Sequence, residues 1–193
     1  RSSIVLNKFR DNTRDALAHD LIALGIKAKM AERGREEERI RSGFKWLLQR
    51  SLGVIDIEDG PVKWVNVVRL KRRDKNGPPV HRVVFGIPNN NLPQKHHPLK
   101  LSTVRKKSFP LFGKVVAVDW KGDSALLPLI TDFSNDVTVD QAVKEFGNLQ
   151  VRTHPGQFQG FTVEVDRKFK PTLEYWDAIH KIAEYLQATT RNL

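Results

Sequence analysis

The 193-residue sequence predicts a single α+β domain, a mostly antiparallel sheet covered on one face by N-terminal helices and a C-terminal amphipathic helix. Three observations predict it. Asp59-Gly60 sits between two runs that alternate apolar and polar, the strongest short-range hairpin signal. Leu173, Trp176, Ile179, Ile182, Ala183 and Leu186 recur at three and four, giving one apolar helical face. Ala16, Leu17, Leu21 and Leu24 recur at helical spacing near the N-terminus. The length suits one well-cored domain, and 39% hydrophobic with 28% charged residues is ordinary for a folded chain.

The first element is a helix over about 13–24, from Ala16, Leu17, Leu21 and Leu24, with Gly25 as its stop. Ile26 to Met30 alternates and reads as a strand. A second helix is expected from Arg35 onward, with Ile40, Phe44, Leu47 and Leu48 as its buried stripe. Residues 53–58, 62–70 and 80–87 then form a three-stranded meander, whose second turn carries Lys71, Arg72, Arg73 and Lys75.

Residues 88–111 lack periodicity, hold four prolines and include Lys95-His96-His97, so they read as a long irregular basic loop. Lys114 to Trp120 reads as a buried strand, and Ala125 to Ile130 as a short helix or strand. Thr138 and Gln141 have capping-box form ahead of a short helix that stops at Gly147. Leu149 to Thr153 and Phe161 to Asp166 read as two further strands, and Pro171-Thr172 opens the last helix.

Charge separates the middle of this chain from its flanks. Pro61 to Lys121 carries fourteen Lys or Arg against two acids, a net charge of +12 out of the +11 of the whole chain. Residues 1–60 add +2, and residues 122–193 carry −3. Even scatter would only keep a protein soluble; confinement to one third points to an anionic partner.

The candidate contacts are Lys71, Arg72, Arg73, Lys75, Lys95, Arg105, Lys106, Lys107, Arg167, Lys168 and Lys170, with Phe109 and Trp120 as the nearest aromatics for stacking on bases. Nucleic acid is the leading expectation, through non-catalytic binding. An anionic membrane surface, with Leu99, Leu101, Phe109 and Leu111 near the basic residues, ranks below it. An acidic protein partner is the third reading.

Several chemistries find no pattern. Cysteine is absent, which removes disulfides, Cys-ligated zinc and thiol catalysis and fits a cytoplasmic protein. No zinc-protease His spacing, Walker loop, nucleophile elbow or dinucleotide fingerprint occurs, so no cofactor and no metal are expected. His81, His96 and His97 read as ordinary surface histidines. Asp119-Trp120-Lys121 and Asp166-Arg167-Lys168 resemble the acid-x-Lys half of a metal-dependent nuclease core, which makes cleavage of phosphodiesters by Asp119 or Asp166 the alternative function. No signal-peptide h-region opens the chain, and no Met heads it, which leaves room for a trimmed segment.

Overall fold

Strand pairing in the computed structural model is antiparallel throughout, and it joins eight strands in the order β1-β2-β3-β4-β8-β7-β5-β6. Residues 11–43, 47–72, 77–93, 97–108, 113–154 and 158–189 are described. The strands are β1 (Ala28–Met30), β2 (Leu47–Ile57), β3 (Trp64–Arg72), β4 (Val80–Pro88), β5 (Lys100–Lys107), β6 (Val115–Gly122), β7 (Leu149–Thr153) and β8 (Gly160–Val165). Among the described residues four α-helices accompany them: α1 (Thr13–Ala23), α2 (Leu127–Asn135), α3 (Val137–Phe146) and α4 (Leu173–Ala188). The fold is therefore α+β with an antiparallel sheet, as expected, and among the described residues no helix is long and apolar enough to cross a membrane.

Alternation along the strands sorts side chains between two faces. Ile55, Val65, Phe85, Val151 and Val163 join one apolar cluster with Leu17 and Leu21 of α1, Leu129 and Phe133 of α2, Val143 of α3 and Ile179 and Ile182 of α4. The opposite face carries a smaller cluster of Ala31, Ile40, Val54, Trp64, Val68, Leu70 and Val84. Beside it lies a polar strip made by Arg82, Gln150, Arg152, Glu164 and Asp166. Strand and helix side chains thus share the main core, and the opposite face of the strands carries the smaller apolar cluster and the polar strip.

Local chemistry explains most element ends. Thr172 caps α4 by accepting the Tyr175 N–H at 3.2 Å. Gly147, at φ 94°, ends α3 in a conformation that a side chain would oppose. Asp136, and not Thr138, caps α3: its carboxylate accepts the N–H groups of Thr138 at 2.9 Å and Val139 at 3.1 Å. Lys181 and Tyr185 of α4 also donate to it, at 3.1 and 3.0 Å, so one side chain joins two helices.

Four further expectations are corrected. The second N-terminal helix is replaced by a single turn at Glu36–Arg39, after which β2 starts at Leu47. The Glu37 carbonyl that such a helix would use accepts from Asn66 Nδ2 at 3.0 Å, and Arg35 is held by Glu37 at 2.6 Å and Asp56 at 2.5 Å. Ile40 packs on the back of the sheet instead. The long irregular loop at about 88–111 contains β5, whose inward positions Leu101, Thr103 and Arg105 hide the alternation because only one is apolar. The strand expected as buried, β6, lies at the sheet edge with mostly half-exposed or exposed residues. Leu173, assigned to the apolar face of the last helix, is 57% exposed.

Candidate nucleic-acid interface

Register decides where the basic residues go. Leu70 pairs with Val80 and Val83 with Val165, which brings the C-terminal ends of β3 and β8 to the same end of the sheet. Leu149 pairs with Val165, and Ser102 with Gln150, so β5 also runs toward that end. Lys107 pairs with Val115, which puts the start of β6 there too. Lys71, Lys106, Lys107, Lys114, Arg167 and Lys168 therefore share one end of the sheet. From β3 to β5 is four steps in the strand order, or about 19 Å at the usual strand spacing.

Not all of these cations are equally available. Lys71, Lys107, Lys114, Arg167, Lys168 and Lys170 are exposed. Among the described residues none of them takes part in an ion pair. Lys106 is committed, its Nζ 2.5 Å from Asp119 Oδ2, although both side chains are more than half exposed and such a pair is weak. Arg105 is half-buried and donates through Nη2 to the Lys144 carbonyl at the C-terminal end of α3, where a cation is favoured. Burial, and then the like charge of Arg167, push the Arg105 guanidinium below its usual value. The charge of Arg167 thus acts on Arg105 although the two come from different sequence clusters.

The aromatic expectation fares differently. Trp120 lies against Phe133 of α2, with ring centroids 4.9 Å apart, and packs on the main core. Phe109, Arg73, Lys75 and Lys95 lie outside the described residues, and the Arg72 side chain does too.

The acids proposed for metal chemistry have other partners. Asp119 pairs with Lys106, and Asp166 accepts from Asn148 N at 2.7 Å and Nδ2 at 2.6 Å. His81 Nε2 lies 2.8 Å from Asp11, and His154 Nε2 lies 2.6 Å from the Thr162 hydroxyl. Among the described residues no group of three or more His, Asp or Glu is placed to hold a metal ion.

No family model, curated protein or solved structure matches this chain. The site therefore stands on its own geometry.

That geometry includes residues that sequence reasoning passed over. On the back of the sheet, buried Glu164 accepts hydrogen bonds from the Ser42 hydroxyl, from Gly43 N at 3.3 Å and from Arg152 Nη2 at 3.3 Å. Arg152 also donates to the Arg41 carbonyl at 2.7 Å, so the 40–43 segment is clasped to the sheet. Arg82 Nη1 lies 4.0 Å from Asp166. Burial pushes both guanidiniums down, against the opposing pull of the carboxylates. The signal was present in β7, where Gln150 and Arg152 alternate with Leu149, Val151 and Thr153; a strand exposed on one face reads the same way.

Proposed function

We propose that this protein binds a polyanion, with nucleic acid as the ligand, without turning it over. What supports the reading is one observation: exposed cations from three separate sequence clusters share an end of the sheet with no ion pair among the described residues. A strip about 19 Å across can meet several phosphates of one strand or duplex. Each phosphate neutralised releases condensed counterion, so the affinity is salt-dependent and indifferent to sequence in its main term. Lysines and arginines differ here, since the Arg167 fork can take two oxygens of one phosphate and Lys71 or Lys107 acts as a point charge.

A gel-shift titration across salt, with and without magnesium, tests this. The expected result is a shifted band that is lost steeply between low and moderate salt, is unaffected by magnesium and shows no cleavage. A magnesium-dependent loss of intact nucleic acid would favour the enzyme alternative.

A further inference from the structure

β6 is the last strand in the sheet order, and its eight residues pair with β5 alone. The opposite edge, β1, is three residues long. The Asp123 N–H donates to the Lys100 carbonyl at 2.9 Å, which fixes the phase of the β5–β6 ladder. Ala117, Asp119 and Lys121 therefore turn their main chain toward β5, and Val118, Trp120 and Gly122 turn theirs away. Among the described residues no strand pairs with those outward groups. Side chains on the two faces of this edge differ. Val118 and Trp120 are half-buried on the face of the main core, against which Trp120 packs. Asp119 and Lys121 are exposed on the other face. Lys106 takes up Asp119, whereas Lys121 is in no ion pair among the described residues.

We propose that β6 is a docking edge for an extended acidic segment of a partner protein, which adds a strand of alternating apolar and acidic residues to the sheet. The proposal goes beyond the polyanion reading and does not depend on it. Main-chain groups of an open edge supply affinity to such a strand, and the side chains beside them supply specificity. Partner residues opposite Val118 and Trp120 meet apolar neighbours, and the one opposite Lys121 meets a cation. Charge decides between occupants. The hairpin from Lys100 to Gly122 carries six Lys or Arg against one acid, within a chain of net charge +11. A second copy would bring like charge to like charge, and an acidic segment brings the opposite sign. A bulge bounds the edge: pairing shifts between Lys106 and Lys107, leaving Val116 unpaired and 57% exposed. The usable ladder therefore runs from Ala117 to Gly122.

A short blocked peptide alternating Glu and Val is the probe, read by fluorescence anisotropy and by amide hydrogen exchange of the protein. Its control has two Val replaced by Pro, which keeps the charge and removes ladder donors. The first peptide is expected to bind with Kd below about 1 mM, and the control at least about tenfold more weakly. Exchange at Val118, Trp120 and Gly122 should slow when the first peptide is bound. Lys121→Glu is expected to weaken the peptide about threefold or more. The same variant should leave an oligonucleotide within about twofold, because Lys121 lies at the end of β6 away from Lys114. Equal binding of both peptides, or unchanged exchange at those three amides, would overturn the inference. So would protection of the same amides by raised protein concentration alone, which would name a second copy as the occupant. None of these results touches the polyanion reading, which rests on the other end of the hairpin.

Discussion

Arg105 feels the like charge of Arg167, although one comes from β5 and the other follows β8, and that charge adds to burial in pushing the Arg105 guanidinium down while Asp166 pulls the other way. Like charges at one place cost the folded state, and Asp166 offsets part of that cost, as a bound anion would. The Lys144 carbonyl offsets part of that cost for Arg105, and the exposed Arg167 is left to solvent or to a ligand.

Reversing charge at this end should weaken binding without harming the fold. Arg167→Glu combined with Lys107→Glu is expected to reduce affinity for a nucleic-acid oligomer at least about tenfold and to make the salt slope shallower by about two. Both side chains are exposed, so the denaturation midpoint should move by less than about 0.5 kcal/mol equivalent. Lys29→Glu, on β1 at the far edge of the sheet, should change affinity less than twofold.

The clasp on the back of the sheet should show in stability. Ser42→Ala removes a donor to buried Glu164 and should cost about 1–3 kcal/mol. Glu164→Ala leaves Arg152 without its carboxylate and should cost more, about 3–5 kcal/mol. Urea unfolding checks both: the midpoint should fall with an unchanged slope.

Gly86 faces the Trp64 ring so closely that a Cβ would fall 1.9 Å from Trp64 Cε2. Trp64 in turn meets Phe158 edge-on at 5.2 Å, and Phe158 stacks on His154 at 5.4 Å. Gly86→Ala should therefore displace the indole and destabilise by about 1–3 kcal/mol. A shifted tryptophan emission maximum together with a lower melting temperature would register it.

Two groups contribute to the acid limit of stability in different windows. Burial holds the His180 imidazole below its usual 6.5, with Glu184 and Asp177 pulling the other way. Above that value both folded and unfolded states are neutral; below it the unfolded chain takes up the proton first, so stability falls as pH drops from about 6.5. His180→Phe should flatten the melting temperature between pH 7 and 5. Burial opposes ionisation of Asp11 as well, yet hydrogen bonds from Thr13 and His81 hold it down at about 2, against an ordinary 3.8. Its contribution is present above 3.8 and fades as pH falls through about 2, so Asp11→Asn should be less stable than the native protein at pH 5 and converge with it at the lowest pH.

Much of the architecture was legible because it rests on local signals. The Asp59-Gly60 turn, the alternation of β3, β4, β7 and β8 and the stripe of α4 needed no tertiary information. The missing helix after Arg35 was not legible, since a distant Asn66 takes the carbonyl that the helix needs. β5 was hidden for a related reason: Arg105 points inward, and its Nη2 donates to a helix terminus that the sequence places 39 residues away. At the interface, the concentration of charge was readable and its convergence was not, because that depends on strand register.

The salt dependence of binding to a short single-stranded oligomer tests the central claim most directly. With about four to six phosphates met by Lys71, Lys107, Lys114, Arg167 and Lys168, log Kobs should fall against log salt with a slope of about −3 to −4. A slope near zero, or no binding at low salt, would contradict the account.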